Sequence, residues 1–182
     1  MSQLFDAIDS AIEEWIAAQH VFFVATAPLG ADGLVNCSPK GLDSLRVTGP
    51  RELVYVDFTG SGVETISHLK ENGRIVIMLC AFQGPPRIMR FHGTGDVLAP
   101  DTTEFGALIG RFPSHPGVRA LVRVRVERIA DSCGYAVPEM QFTRERAALP
   151  MWANKRGAEG IRSYQIERNA TSLDGLVGVD WL

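Results

Sequence analysis

The segment from residue 53 to residue 73 constrains the fold most strongly, because an apolar strand in it runs through a polar turn directly into a helix. The strand prediction, Leu53 to Phe58, rests on its β-branched and aromatic residues. The helix prediction rests on apolar residues at helical spacing and on Asn72-Gly73, a pair typical of a helix end. Between the two elements lies the turn Thr59-Gly60-Ser61-Gly62. At such a joint the first backbone N–H groups of the helix have no helical partner.

This turn has two interpretations. The hydroxyls of Thr59, Ser61 and Thr65, together with two glycines, favour a site where a phosphate or another anion meets the helix N-terminus. The same residues fit a plain helix cap, in which Thr59 or Ser61 accepts a backbone hydrogen bond and Glu64 completes a capping box. The turn alone does not decide between them.

Two further motifs favour the anion site. The first, Asn36-Cys37-Ser38-Pro39-Lys40-Gly41, follows a candidate strand and adds the cation Lys40 to otherwise uncharged polar side chains. The second, Pro86 to Gly95, places Arg87 and Arg90 three residues apart in a predicted strand. Because side chains alternate between the two faces of a strand, only one of these arginines is expected to face a shared site.

In this order the three motifs resemble the FMN-binding split barrels related to pyridoxamine 5′-phosphate oxidase, and within them a bacterial branch. That branch carries the strings Asn-x-Ser-Pro-Lys-Gly, Asp-x-Thr-Gly-Ser-Gly-x-Glu-Thr and Gly-Pro-Pro-Arg-Ile-x-Arg, and the similarity continues through Ser132 to Pro138 and to the end of the chain. The resemblance implies a mainly β fold, an antiparallel, Greek-key-like barrel with peripheral helices. It also implies a homodimer with FMN in a groove between the subunits.

The resemblance further implies which residues surround the flavin. Lys40 is expected near the phosphate, and one of the two arginines of the third motif is expected to supply a second charge. The residues implied to bind FMN are Asn36, Ser38, Lys40, Thr59, Ser61, Thr65, and Arg87 or Arg90. The residues expected at the flavin edge or on the substrate side are Cys133, Tyr135 and Trp152.

The chain departs from the oxidases at positions that concern the substrate. It has Glu64-Thr65 where they carry an Arg-Lys pair, and Ile88 where they have a glutamine. Its C-terminal part, Asn169 to Leu176, lacks their Arg-x-His-type signature. We therefore do not expect oxidation of pyridoxamine 5′-phosphate. No catalytic residue is assigned, because the chemistry of a flavin enzyme resides in the flavin itself.

The whole chain, residues 1–182, is predicted to form one domain. An amphipathic helix is expected over residues 2–19, a barrel core over about 20–137 and a helical segment over about 143–182. Within that last segment the helical pattern itself runs from Thr143 to about Glu167 and is interrupted at Pro150 and at Gly157 to Gly160. About six strands are expected, in an antiparallel barrel, because helices do not alternate regularly with strands. The clearest strand, Ala120 to Ile129, alternates aliphatic with mostly charged residues and is expected at a solvated barrel wall.

Two smaller elements have local signals. A hairpin is predicted between Val21 to Ala27 and Leu34 to Cys37, because their connection carries Asp32-Gly33. A short helix is predicted over Asp101 to Ile109, with Asp101 or Thr102 as its cap.

Composition excludes several functional classes. A formal net charge of -3 gives no basic field for nucleic acid or an anionic membrane. The longest apolar run, Ile75 to Phe82, is too short for a membrane span, and the N-terminus lacks the features of a signal peptide, so a cytoplasmic location is expected. Three scattered cysteines, Cys37, Cys80 and Cys133, predict neither a disulfide framework nor a metal site, and Cys80 is expected in the core.

The resemblance thus implies an FMN-dependent oxidoreductase that transfers a hydride or electrons at flavin N5 to or from an unidentified small molecule. A flavin carrier or sensor without turnover is one alternative. Another keeps the barrel and exchanges the cofactor for a deazaflavin or for heme, with His92 or His115 as axial ligand. The expected partners are a second copy of the chain and a small-molecule substrate or reductant, with no nucleic acid and no membrane.

Overall fold

The computed structural model describes residues 3–182, and within them one antiparallel sheet of eight strands is accompanied by four helices. The strands are β1 (Leu4–Phe5), β2 (Phe22–Thr26), β3 (Asn36–Lys40), β4 (Leu45–Gly49), β5 (Glu52–Phe58), β6 (Arg74–Cys80), β7 (Ile88–Leu98) and β8 (Val118–Ser132). The helices are α1 (Ser10–Ala17), α2 (Glu64–Asn72), α3 (Thr103–Ile109) and α4 (Ala148–Arg168).

The sheet curls into a split barrel. Its strands follow the order β3-β2-β6-β7-β8-β5-β4, and β1 pairs with β8. Three strands separate β2 from β5 in this order, yet the rings of Phe22 and Tyr55 meet edge to face with centroids 5.6 Å apart. Such a contact requires the two ends of the sheet to approach each other across the core. Ile12 and Ile16 of α1 belong to the same buried cluster, so this helix packs against the interior of the barrel.

Several local predictions are confirmed. β2 and β3 form the expected antiparallel hairpin, with Thr26 opposite Asn36. α2 ends at Gly73, whose φ of 71° is the left-handed conformation that glycine adopts readily. Thr102 caps α3 by accepting a hydrogen bond from the backbone N–H of Phe105. Cys80 is buried, as predicted.

The N-terminal prediction is wrong in extent. The helix expected over residues 2–19 occupies only Ser10–Ala17, because the side chain of Asp9 accepts a hydrogen bond from the N–H of Ile12 and starts the helix there. Before it, Leu4 and Phe5 pair with Ala130 and Ile129 of β8. Met1 and Ser2 lie outside the described residues. β1 and β4 were not predicted, because a two-residue strand and a half-buried five-residue strand carry too little periodicity.

Two further predictions need correction. The helical pattern predicted from Thr143 to about Glu167 begins later, at Ala148, and ends at Arg168, with the predicted interruption present at Gly157, whose φ of 67° is left-handed. The rest of the segment expected to be helical up to residue 182 is not helical, and Thr171 and Val177 form an isolated antiparallel bridge there. The segment from Asn169 to Gly178 is referred to below as the C-terminal hairpin. The solvated face expected on β8 is also incomplete. Leu121 on that face is fully buried against a second apolar cluster that includes Val54 and Phe112.

No helix within residues 3–182 is both long and apolar enough to cross a membrane.

The close approach of β7 to β8 at Gly93 gives a prediction about stability. Gly93 lies at a register shift between β7 and β8, where an added Cβ would collide with the backbone carbonyl of Arg125. We expect Gly93→Ala to lower the free energy of unfolding by about 1–3 kcal/mol, because the strands must separate locally. Gly106→Ala in α3 is the control, since a Cβ there meets nothing within 4 Å. Urea unfolding that shows equal stability for both variants would contradict this account.

Candidate functional site

β3 presents three of the predicted site residues on one face. Asn36, Ser38 and Lys40 alternate along the strand with Cys37 and Pro39, which are exposed on the opposite face. The three polar side chains are half-buried, because they lie opposite the buried residues of β2. The face that was expected to meet a flavin is therefore continuous with the barrel interior.

A buried ion cluster joins this face to the other side of the barrel. Nζ of Lys40 lies 3.3 Å from Oδ1 of Asp57 at the end of β5. Nε of Arg119, at the start of β8, lies 2.7 Å from Oδ2 of the same carboxylate. Asp57 is fully buried and Arg119 is 4% exposed. Two cations against one carboxylate leave an excess of positive charge at this point.

The protonation state of Asp57 follows from these partners. Burial acts to raise its pKa, but the charges and hydrogen bonds of Arg119 and Lys40 together outweigh burial, and the pKa lies below the ordinary value of 3.8. The carboxylate is thus ionised at neutral pH. Arg119 also donates through Nη1 to the carbonyl oxygen of Gly62, 2.9 Å away. Both contacts hold the guanidinium of Arg119 within the protein. The side chain of Lys40 is 19% exposed, and its ammonium has further N–H groups that can donate to a ligand.

A chain of uncharged hydrogen bonds lies along the same face. The amide nitrogen of Asn36 donates to Oγ1 of Thr65 at 2.9 Å and to Oγ1 of Thr26 at 3.3 Å. The amide oxygen of Asn36 accepts from Oγ of Ser38 at 3.0 Å. Thr26 in turn lies 2.9 Å from Nδ1 of His68. The structure therefore brings Asn36, Ser38 and Thr65 together, as predicted. It also links them to the buried His68, which was not predicted to belong to the site.

The turn before α2 is covered by the C-terminal part of the chain. Thr59 is 1% exposed, and its hydroxyl oxygen accepts a hydrogen bond of 2.7 Å from Nε2 of Gln165 in α4. Asn169 donates to the carbonyl oxygen of Gly60 at 2.9 Å. Ser61 is exposed, and a Cβ added at Gly60 would meet nothing within 4 Å. Within this turn, Ser61 and the backbone around Gly60 are the parts open to a ligand.

The alternative interpretation of this turn, a plain helix cap, is wrong. The residue that precedes α2 is Val63, and no side chain makes a capping hydrogen bond there. Neither Thr59 nor Ser61 is in the capping position, since both lie too far upstream of Glu64. Among the described residues, the first turn of α2 therefore has no side-chain cap at its N-terminus.

The two arginines of the third motif lie apart from the ion cluster. Arg87 forms an ion pair with Asp131 at 3.2 Å and lies over the rings of Phe5 and Trp15. Arg90, in β7, donates to Oγ of Ser132 at 3.1 Å. Neither forms a hydrogen bond or ion pair with Lys40 or Asp57 in the described part of the chain. The second cation that the structure brings to Lys40 is Arg119.

The residues expected at the flavin edge are also apart from the cluster. Cys133 is exposed, and Tyr135 is 82% exposed. Trp152 packs edge to face on Tyr164 of its own helix, with ring centroids 5.1 Å apart, and carries the guanidinium of Arg156 above its ring. Within residues 3–182, none of the three forms a hydrogen bond or ion pair with Lys40, whose partner is Asp57.

A groove of about 790 Å³ opens beside Lys40. Its walls include Pro39, Lys40 and Phe82 on the barrel side and Met140 and Phe142 on the segment that leads to α4. The ring of Phe142 stacks on His20, with centroids 3.7 Å apart. The groove is mostly apolar and is also lined by the charged residues Lys40, Arg144, Glu145 and Arg146, a composition typical of small-molecule sites.

Sequence reasoning missed three residues that shape this site. They are Asp57, Arg119 and His68. Asp57 carried a signal, because it is the one charged residue in the apolar run from Leu53 to Phe58. Arg119 looked no different from the other arginines of β8, since only the pairing of β5 with β8 decides which of them reaches Asp57.

Comparison with known proteins agrees with the fold. A model of the pyridoxamine 5′-phosphate oxidase family matches residues 8–133. The pyridoxamine 5′-phosphate oxidase family protein UstO of Aspergillus flavus is 34% identical over 198 aligned residues, which cover 98% of this chain and 78% of that protein. The crystal structure of HupZ from Group A Streptococcus superposes with a TM-score of 0.53 at 25% identity, over 67% of this chain and 91% of that chain. The chain belongs to the pyridoxamine 5′-phosphate oxidase family.

Proposed function

We propose that this protein binds FMN and acts as a flavin-dependent oxidoreductase on a small molecule. The observation that carries the proposal is the ion cluster of Lys40, Asp57 and Arg119 beside the uncapped N-terminus of α2. An excess of positive charge next to unpaired backbone N–H groups suits a phosphate. Family membership and the resemblance of the three motifs to FMN-binding barrels support flavin as the group that carries this phosphate.

The donor set fits the phosphate of FMN without the Arg-Lys pair of the oxidases. Lys40 supplies the charge, since Arg119 is held by Asp57 and Gly62. Ser61 is exposed, and the Thr65 hydroxyl accepts from Asn36, which leaves its own hydrogen free to donate. The backbone around Gly60 is open. Thr59 holds this turn in place, because its hydroxyl oxygen accepts a hydrogen bond from Gln165.

The reaction is expected beside this donor set. When bound, the flavin supplies a hydride or electron acceptor at N5, while the protein binds, orients and excludes water. The groove beside Lys40 has the volume of a small-molecule site and apolar walls in Pro39, Phe82 and Met140. These walls would hold a partly apolar substrate or reductant.

The site is proposed to be completed by a second copy of the chain. The sheet face opposite to the core carries half-buried apolar residues in register, with Phe23 opposite Met78 and Ala25 opposite Val76. A small barrel has too little interior space for a flavin. A second copy packed on this face, which also carries Pro39 at the groove beside Lys40, would provide the missing wall. Cys133 and Tyr135, which are exposed in one subunit, would then be free to reach a flavin from the partner side.

The charge of Lys40 is testable by comparing two ligands. We expect Lys40→Ala to weaken FMN binding by about 1–3 kcal/mol, the usual size of a charge-assisted hydrogen bond, and to leave riboflavin nearly unaffected because riboflavin has no phosphate. Lys155→Ala is the control, since Lys155 is exposed on α4. Fluorescence titration measures both ligands. An equal loss for both would show that Lys40 does not bind the phosphate.

Assembly and cofactor binding are expected to be coupled. Met78→Lys places a charge in the apolar sheet face and next to Arg90, its cross-strand neighbour, so the variant should be monomeric and should lose FMN affinity. Leu29→Lys is the control, because Leu29 is 64% exposed in the β2–β3 loop. Analytical ultracentrifugation with and without FMN measures the effect. A monomer that binds FMN with full affinity would contradict the shared site.

The redox function has a direct test. The purified protein should show a flavin absorption spectrum that NADH or NADPH bleaches under anaerobic conditions. It should not turn over pyridoxamine 5′-phosphate, because a second phosphorylated ligand needs its own cationic clamp and Arg87 and Arg90 are held by Asp131 and Ser132. A bound flavin that neither NADH nor NADPH bleaches would indicate a carrier or sensor. Steady oxidase turnover lost in Arg87→Ala or Arg90→Ala would restore the oxidase assignment.

A further inference from the structure

The carboxylate of Asp174 occupies an unusual position for a residue at the tip of a turn. The C-terminal hairpin is closed by backbone hydrogen bonds from Ser172 to Leu176 and from Gly178 to Ala170, each 2.9 Å long. Asp174 lies at its tip, yet its side chain is only 16% exposed. Its two oxygens accept from the backbone N–H of Leu34 at 3.1 and 3.3 Å. The carboxylate thus points into the protein instead of towards water.

His68 lies directly behind this carboxylate. Its side chain is fully buried in α2, and its Nε2 lies 3.7 Å from Oδ2 of Asp174, without a hydrogen-bond partner. Its other ring nitrogen, Nδ1, lies 2.9 Å from the hydroxyl of Thr26. A buried imidazole that faces a carboxylate on one side and a hydroxyl on the other is a connecting element between them.

The carboxylate of Asp174 fixes the direction of the chain. A carboxylate can only accept, so a neutral His68 carries its proton on Nε2, which faces Asp174, and its Nδ1 accepts from the hydroxyl of Thr26. The hydrogen of Thr26 is thereby used, so Thr26 can only accept from Asn36. The NH₂ group of Asn36 therefore faces Thr26 and Thr65, and its amide oxygen accepts from Ser38.

We propose that Asp174 and His68, through Thr26, are positioning residues that orient Asn36 and thereby fix Thr65 as a donor and Ser38 as an acceptor at the flavin site. Asn36 itself has no free donor, so it acts behind the site and Thr65 and Ser38 face the ligand. The C-terminal hairpin, which the family model does not cover, is in this way part of the site. Only the identity of the ligand depends on the proposed function; the hydrogen-bond chain does not.

The chain is tested first without any flavin. Nitrogen-15 NMR of the imidazole ring in the full-length protein should show neutral His68 as the Nε2–H tautomer. In Asp174→Asn the tautomer preference should be lost, because an amide offers both a donor and an acceptor to Nε2. Asp180→Asn is the matched control, since Asp180 lies in the same C-terminal segment but pairs with Lys70 at 2.6 Å. An Nδ1–H tautomer in the natural protein, or an unchanged tautomer in Asp174→Asn, would overturn the proposal.

A second pair of variants keeps the shape of the site. Thr26→Val removes the hydroxyl that links His68 to Asn36, and Thr26→Ser retains it. Thr26→Val should weaken FMN binding by about 5- to 15-fold, the effect of one hydrogen bond, while Asp174 keeps the proton of His68 on Nε2. Thr26→Ser should stay within about twofold of the natural protein, since it keeps that bond. Tight FMN binding that is equal in both variants and in Asp174→Asn would overturn the positioning role while leaving the proposed function intact.

Discussion

The fold and the site both depend on the buried carboxylate of Asp57. Burial of an isolated carboxylate is costly, and the cost is offset only because Arg119 and Lys40 bind its two oxygens. Through these contacts β5 is tied to β8 and to the edge strand β3, and through Arg119 to the carbonyl oxygen of Gly62. Because the folded-state pKa of Asp57 lies below its unfolded value, this stabilisation is complete above the unfolded pKa and is lost as the pH falls through the folded one.

The features that sequence predicts well are those with local signals. The β2–β3 hairpin follows from alternation and Asp32-Gly33, and the cap of α3 follows from Thr102. The three motifs of the site are also local, and the structure brings the residues of β3 and Thr65 into direct contact. Long-range partners could not be predicted in the same way. Arg119 is 62 residues from Asp57, and sequence gives no reason to prefer it to Arg123, which pairs with Asp96 instead.

The C-terminal region is a second case in which local sequence signals do not predict long-range contacts. A helical segment is expected up to residue 182, although the helical pattern itself ends at about Glu167, and α4 stops at Arg168. There the side chain of Asn169 donates to the carbonyl oxygen of Gly60, and its backbone carbonyl oxygen accepts from the N–H of Val179. Those contacts are tertiary and leave no trace in the local pattern. They fold the last residues over the start of α2, where Gly178 packs against Val63 so closely that a Cβ would not fit. The C-terminal segment therefore holds in place the turn that precedes α2.

The distribution of charge at this site has a consequence for ligand recognition. This chain has Glu64 and Thr65 where the related oxidases carry an Arg-Lys pair at the helix start. Its second cation, Arg119, forms an ion pair with Asp57. A phosphate would meet one ammonium, that of Lys40, and otherwise neutral donors. Long-range attraction is then weak and is further screened by salt, so affinity depends on the alignment of short hydrogen bonds. Such a site discriminates by geometry, which explains why so much of the surrounding chain, from Gln165 to Asp174, is engaged in holding the turn and α2 in place.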